Sequence, residues 1–387
     1  MEMGEVRVVP VNGKPALKDF IDLPYRLYAD NPNWIPPLKV EVRGLLTPGD
    51  NPWFEHAEAQ LFVARRAGKV VGRISAHIDQ LALEQPAEQG MGPGTGFWGF
   101  YEAESADVGD ALLDQAEKWL RAKGMTRMLG PVSFAMWDEP GLLIQGHDSP
   151  PTVMMGYHDA RYQSWIEAAG HHKAEDLLTF DLTIVDSLPE LTNRIVAMGE
   201  KSGKIHIRRV NKRKFDQEAA IILGILNDAW EANWGFVPFT PAEVAYAGKK
   251  LKPIVFEDLI RIAEIDGEPV AFMMTIPDLN EQLVKYGGSL WPFNWAKLLW
   301  WLNVGLPKVT TMRVPLMGVV KRLQGTRIAS QLALTLVEYT RRDAIAKFGA
   351  SKGDFGWVLS SNGPMVSVGE AVGGTVSKIY RVYEKAL

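Results

Sequence analysis

Two stretches of this chain carry the same alternation of apolar and polar positions. LFVARRAGKVVGRISAHID (Leu61 to Asp79) and IRIAEIDGEPVAFMMTIPD (Ile260 to Asp278) each pass from an apolar strand, through a charged turn at Gly68 or Gly267, into a second apolar strand. Each predicts a β-hairpin. The two glycines stand 199 positions apart in 387 residues, about half the chain. Their surroundings correspond too: helix-like segments precede each hairpin, and an amphipathic helix and another strand follow it. The first helix is DVGDALLDQAEKWLRAKG, with Leu112, Leu113, Ala116, Trp119 and Leu120 on one face and Gly124 at its end. The second is ASQLALTLVEYTRRDAIAKFG, with Leu332, Leu336, Tyr339 and Ile345 at helical spacing and Gly349 closing it. A tandem repeat of one α/β unit accounts for both halves. A helix leads to a new strand at Ile205 to Val210 in TIVDSLPELTNRIVAMGEKSGKIHIRRV. The seam is expected near there, giving domains 1–200 and 201–387.

One segment breaks the repeat. SLWPFNWAKLLWWLNVGLPKV, Ser289 to Val309, holds Trp291, Trp295, Trp300 and Trp301 beside Phe293, Leu298, Leu299 and Leu302. A helix from Trp295 to Leu302 would place Trp295, Leu298, Leu299 and Leu302 on one side, with Trp291 extending it. Pro292, Asn294, Lys297 and Asn303 interrupt the run, leaving it short of the ~20 apolar residues that span a bilayer. Each such side chain is worth roughly 1.5 to 3 kcal/mol when buried, so the group should lie against the core, an acyl chain or a bilayer. Core packing is the default expectation.

Composition narrows the classes. A net charge of -4 and a pI near 6.0 argue against a general nucleic-acid binder. The absence of cysteine removes disulfides, thiolate nucleophiles and Cys-based metal sites together. The beginning, MEMGEVRVVPVNGKPALKDF, has neither the basic nor the apolar region of a secretory signal, so a cytoplasmic protein is expected.

The segment richest in chemistry is MRVPLMGVVKRLQGTRIASQLALTLVEY. An apolar strand, Val314 to Val320, enters a short polar turn, and a helix begins near Ile328 or Ala329. Such a junction leaves backbone N–H groups unpaired at a helix head, which suits a phosphate or pyrophosphate. Lys321, Arg322 and Arg327 add positive charge. QGTRIASQL resembles the acyl-CoA signature of the GNAT acyltransferase superfamily, Q/R-x-x-G-x-G/A, with Gln324 first and Ala329 last. It departs at the middle glycine, where Arg327 stands. FGWVLSSNGPMVSVGEAVGG then matches the family's fifth strand and following helix, with Asn362 at the family's Asn. The tyrosine that protonates the leaving thiolate in many members would fall at Gly369, and Tyr380 and Tyr383 are nearby but out of register. More narrowly, NPNWIPPL, NPWFEHAEAQLFVARRAGKVVGRI, DEPGLLIQGHDSPPTVMMGYHDARY, NDAWEANWGFVPFT, IPDLNE and YRVYEK resemble the tandem-GNAT group that includes the bacterial ceramide synthases.

That resemblance implies two GNAT-like domains, each with a mixed, mostly antiparallel sheet flanked by helices. It implies acyl-CoA as cosubstrate, no metal, and a long-chain amine or other lipid acceptor, a sphingoid base above all, attacking the thioester directly. It implies a cofactor site at Gly318, Val319, Val320, Gln324, Gly325, Thr326, Arg327, Ile328, Ala329 and Asn362. A lipid acceptor also allows peripheral contact with the cytoplasmic face of the inner membrane. The first half offers acids, FYEAESADVGDALL, where the family has its glycines. It is expected to be structural or acceptor-side. The alternatives are a GNAT acting on a small amine or peptide, and a catalytically silent acyl-CoA or lipid sensor.

The amine must lose a proton. Glu231 is one candidate base, in the helix pair opening the second domain, against a plain solvated role. Asp138 and Glu139 are others, against turn or capping roles, and His147 titrates near neutrality but can be structural. Asn233, Trp234, Asp278, Asn280, Trp295, Trp300 and Trp301 are candidate acceptor contacts, with Asp278 and Asn280 equally able to form a turn. His171 and His172 lack a second ligand pair at zinc spacing. GTGFWG lacks the preceding strand of a dinucleotide loop, and no G-x-S-x-G elbow occurs. The five basic residues of RRVNKRKF, Arg208 to Lys214, read as a charged strand end, or else as a contact for anionic headgroups.

Overall fold

Both predicted hairpins form, and they turn in the same way. Ala67 and Gly68 have φ of 48° and 81°, and Asp266 and Gly267 have 52° and 82°. Two consecutive positive φ values define the tight turn whose twist matches paired strands, which is why glycine takes the second place. The computed structural model describes residues 4–184, 187–303 and 308–387. Val185 and Asp186 of the expected seam, and residues 304–307 of the Trp-rich stretch, lie outside the described residues.

The strands from the beginning of the chain are β1 (Arg7–Pro10), β2 (Ala57–Arg66), β3 (Lys69–Asp79), β4 (Thr95–Ala103), β5 (Arg127–Gly130), β6 (Leu142–Gln145) and β7 (His172–Thr183). They are followed by β8 (Ile205–Arg209), β9 (Ile260–Ile265), β10 (Glu268–Pro277), β11 (Thr311–Val319), β12 (Lys352–Leu359) and β13 (Thr375–Ala386). Five helices matter below: α1 (Ala106–Ala122), α2 (Phe215–Trp230), α3 (Asn294–Asn303), α4 (Arg327–Asp343) and α5 (Gly363–Ala371).

The chain divides into two compact units. Unit 1 comprises Met1–Leu177, Leu283–Ser289 and Lys378–Leu387; unit 2 comprises Leu178–Gln282 and Leu290–Ser377. The division falls inside β7 rather than near residue 200, and the last strand returns to unit 1. A linear seam cannot express this, because β13 pairs with β5 across more than 240 positions, Ala386 opposite Arg127.

Each unit repeats one pattern. In unit 1, β1 to β4 are antiparallel and β4 crosses through α1 to the parallel strand β5. In unit 2, β8 to β11 are antiparallel and β11 crosses through α4 to the parallel strand β12. The fold is thus α/β, and in each unit the strand pairing is mixed and mostly antiparallel. In unit 1, Val108, Leu112, Leu113, Ala116 and Leu120 of α1 join Phe62, Ile74 and Trp98 in the core. In unit 2 the strand period of two decides which helix each residue meets. Ala271 and Met273 of β10 pack with Leu332, Ala333 and Leu336 of α4, whereas Phe272 and Met274 pack with Ile225 and Leu226 of α2.

The Trp-rich helix forms as α3, but its inward face differs from the expected one. Leu302 is buried, and Trp301 packs against Leu259, Val309, Met312 and Phe348. Trp295 and Leu299, expected beside Leu302, are about half exposed, and Trp291, Phe293 and Trp300 more so. Core packing therefore explains only one edge of the helix. The cluster at the start of β11 selects that edge, and periodicity inside the helix carries no information about it.

Candidate functional site

The site is built where β11 leaves β12. Their parallel pairing runs from Thr311 opposite Lys352 to Val314 opposite Phe355 and goes no further among the described residues. Pro315, which lacks an N–H, stands where the pairing stops. β11 nevertheless stays paired with β10 as far as Val319. The two parallel strands thus form a fork that opens toward their carboxyl ends.

The N–H groups lining the β11 side of the fork follow from the ladder. Val320 N–H donates to Val270 O at 2.9 Å. Alternation then turns Gly318 and Leu316 toward β10, and Met317 and Val319 toward the fork. Both fork-side carbonyls are already engaged: Met317 O accepts from Trp230 Nε1 at 3.0 Å, and Val319 O accepts from Gln324 Nε2 at 2.9 Å. The Met317 and Val319 N–H groups have no acceptor among the described residues. The wall presents donors with its acceptors neutralised, an arrangement suited to a developing oxyanion.

Seven residues, Val320 to Thr326, connect β11 to α4. Gly325 takes a φ of 74°, and Thr326 caps the helix. Its hydroxyl accepts from Ala329 N–H at 3.3 Å and donates to Leu323 O at 2.6 Å. The N–H groups of Gly325, Arg327 and Ile328 have no acceptor among the described residues, and residues 324–328 are exposed. The helix begins one or two residues earlier than expected, so Arg327 occupies its first turn. Its backbone N–H joins the unbonded donors at the helix head whatever its side chain does. Gln324 does not reach outward: its amide is bound to Ala229 O at 3.0 Å as well as to Val319 O, tying the loop to α2 and β11.

Glu231, directly after α2, lies beside this loop. Its carboxylate accepts from Lys321 Nζ at 2.8 Å, and Asp228 accepts from Lys321 N–H at 2.6 Å. The bond and charge of Lys321 hold the Glu231 carboxyl below its usual range, and Glu231 raises Lys321 in turn. A lowered carboxylate is a weaker base. Asn233 and Trp234 follow in the same turn, where Asn233 N–H donates to Trp230 O at 2.8 Å.

On the other prong Asn362 caps α5, accepting from Met365 N–H at 3.2 Å. Because β11 and β12 are parallel, the heads of α4 and α5 lie at the same end of the fork. Gly369 is packed against Phe180, whose ring carbons would stand 3.1 Å from an added Cβ, so that position has no room for the expected tyrosine. Tyr380 and Tyr383 belong to unit 1, bonded to Gly156 O at 2.9 Å and to Glu167 at 3.1 Å. Asp278 and Asn280 lie at the opposite end of β11. Asp278 N–H donates to Thr311 O at 2.9 Å, and its side chain accepts from Asn280 N–H at 3.1 Å, forming a turn.

Unit 1 lacks the counterpart of this loop. Only Glu104 and Ser105 separate β4 from α1, and Asp107 in the first turn is paired with Arg66. Beside β4 the chain is occupied, with Val132 N–H donating to Trp98 O at 2.7 Å and Phe100 N–H to Ser133 Oγ at 3.0 Å. Asp138 closes a turn with Ala135. Glu139 has a partner that sequence reasoning missed: His158 Nε2 lies 3.4 Å from it. His158 Nδ1 accepts from Leu143 N–H at 3.1 Å, so its Nε2 carries the proton. Burial works against the Glu139 charge, but His158 and Arg73 outweigh it and lower its pKa. His147 is lowered by burial, and its Nε2 has no partner among the described residues. Sequence spacing gave no signal for His158 or for Met317.

No family model matches the chain. Over 384 residues it is 42% identical to the bacterial ceramide synthase of Caulobacter vibrioides (strain NA1000 / CB15N), covering 99% of this chain and 98% of that protein. Over 380 residues it is 41% identical to protein YghO of Escherichia coli (strain K12), covering 97% and 94%. Among solved structures it resembles a tandem GNAT protein from the clavulanic acid biosynthesis pathway, with a TM-score of 0.56 at 14% identity over 99% of this chain and 98% of the other. It also resembles a GCN5-related N-acetyltransferase from Sphaerobacter thermophilus, with a TM-score of 0.51 at 13% identity over 98% and 95%. The structural likeness concerns the fold; the sequence identity concerns kinship.

Proposed function

This chain belongs to the tandem-GNAT, bacterial ceramide synthase-like group of the GNAT acyltransferase superfamily, and from that premise we propose that it transfers a fatty acyl group from acyl-CoA to the amine of a long-chain sphingoid base. Acyl transfer to nitrogen is the activity that kinship and fold support together. The finer reading rests on one observation above the others: the fork donors of Met317 and Val319 and the free N–H groups at the head of α4 belong to one strand–loop–helix segment.

In this reading the pyrophosphate lies at Gly325, Arg327 and Ile328, and the pantetheine runs down the fork beside β11. The thioester carbonyl then lies within reach of the Met317 and Val319 N–H groups. The amine nitrogen attacks the carbonyl carbon, and the oxyanion is stabilised by those donors. The C–S bond breaks, and the proton lost by nitrogen balances the one gained by sulfur, giving an amide and free CoA thiol. Glu231 sits at the pyrophosphate end and is engaged with Lys321, so its role is to set the charge of the loop. Unit 1, with its short acidic junction, serves as structure or on the acceptor side.

Mass spectrometry of purified protein with a sphingoid base and acyl-CoAs of graded length tests this directly. The expected result is an N-acyl product with one free thiol per amide and a preference for long-chain partners. Turnover of short soluble amines alone would move the reading to a small-amine enzyme. Saturable CoA binding without thiol release would favour a silent binder, for which the packed Gly369 is the motivating observation. Absence of calorimetric heat with every CoA derivative would sink the site itself.

A further inference from the structure

The outer face of α3 has no use in the fork. Trp291 is 78% exposed, Phe293 70% and Trp300 64%, with Trp295 and Leu299 near half. Side chains of this size left in water forfeit a large apolar gain. The face is also held firmly from within, since Trp301 is packed on Leu259, Val309, Met312 and Phe348. The helix therefore presents these rings on a fixed support.

The choice of occupant follows from charge and chemistry. The chain as a whole is acidic, 46 Asp and Glu against 42 Lys and Arg. Yet the stretch that carries α3, from Ser289 to Val309, contains no acidic residue and two basic ones, Lys297 and Lys308. Lys297 is exposed within α3 itself, between Trp295 and Leu299. Tryptophan with lysine on one short helix is the composition of the bilayer interface, where the ring sits at headgroup depth and the amine meets lipid phosphate. No helix of the described residues is long and apolar enough to cross a membrane, so contact would be made in the plane of the surface.

We propose that α3 and the Trp291–Phe293 turn before it form a docking surface for an anionic phospholipid bilayer. Its position deepens the reading given above, and in this respect rests on it. The helix packs at the start of β11, at Val309 and Met312, whereas the pyrophosphate cradle follows the end of the strand. In that reading the thioester lies along β11 between the cradle and the end of the strand that carries the docking surface, where a lipid amine would arrive.

Vesicle co-sedimentation tests the surface with no acyl-CoA or amine present, so its outcome is independent of whether the chain acylates anything. The full chain is expected to bind phosphatidylcholine–phosphatidylglycerol vesicles and to bind pure phosphatidylcholine more weakly. The triple variant Trp291→Ser, Trp295→Ser, Trp300→Ser should lose binding at least about tenfold. Thermal unfolding and affinity for free CoA serve as its folding controls. Should it misfold, Lys297→Glu carries the test alone, with a loss of about fivefold or more at low salt that disappears at high salt. Wild-type binding unchanged by these substitutions, or absent from anionic vesicles, overturns the proposal. So does a concentration-dependent dimer abolished by the triple variant in a chain that ignores vesicles, which would assign the face to a second copy.

Discussion

Among single residues, the Glu231–Lys321 pair shows how a local contact sets the charge beside the loop from β11 to α4. The pair is exposed on both sides, so it adds little to folding, but it holds an ammonium beside the loop in a neutralised state. Glu231→Gln should leave Lys321 free for phosphate and tighten CoA binding by about two- to fivefold. Titration calorimetry reads this, and weaker binding would show that Glu231 supports the loop. Gly369 gives the opposite kind of test. Gly369→Tyr forces a ring against Phe180 and should cost about 1 to 3 kcal/mol of stability, seen as a lowered thermal midpoint with no gain in rate. The sequence pattern located the loop because glycine, threonine and a following apolar helix are local signals. It could not reveal that Gln324 bonds to Ala229 O and Val319 O, since that depends on where α2 crosses β11. Glu139 was visible as an acid, but its partner His158 lies across a folded turn and was not.

The elements that were legible are those whose cause lies within a few residues. Both hairpins turn on adjacent positive φ values ending in glycine, and both crossover helices follow from the apolar period. What stayed hidden was the inward edge of α3, chosen by Val309, Met312 and Phe348, and the return of β13 to unit 1. Each depends on contacts distant in sequence. At this scale the decisive element is the head of α4. Thr326→Val removes the hydroxyl that accepts from Ala329 N–H and donates to Leu323 O while keeping the shape. The helix should lose about 1 kcal/mol, and CoA affinity should fall because the loop is no longer fixed as an anion site. Thr326→Ser should restore both. A variant with a lowered melting point and unaltered CoA affinity would place the phosphate elsewhere.

The two units of the molecule differ most in how they bear acid. Of the seven histidines, six lie in unit 1 and only His206 in unit 2. Two of the six are held neutral: burial pushes His77 and His171 down to about 3. His77 is enclosed by Trp53, Phe97 and Phe134, with its Nε2 3.0 Å from Phe134 O. An unfolded histidine binds its proton near pH 6.5, whereas these do so only near pH 3, so between those values the unfolded state holds more protons. Their contribution is complete above pH 6.5 and drains away as pH falls, by about 1.4 kcal/mol per pH unit for each ring. Hydrogen exchange between pH 7 and 4.5, corrected for intrinsic rates, should therefore show β3 and β4 losing protection before β10 and β11. His77→Gln keeps an N–H donor for Phe134 O and removes the titration, so it should flatten the acid slope of unit 1 by one proton's worth even if it lowers stability at neutral pH. An unchanged slope in that variant would locate the acid sensitivity in the carboxylates instead. In that case β10, opposite Glu264 of β9 with its Arg208 partner, should open as early as β3.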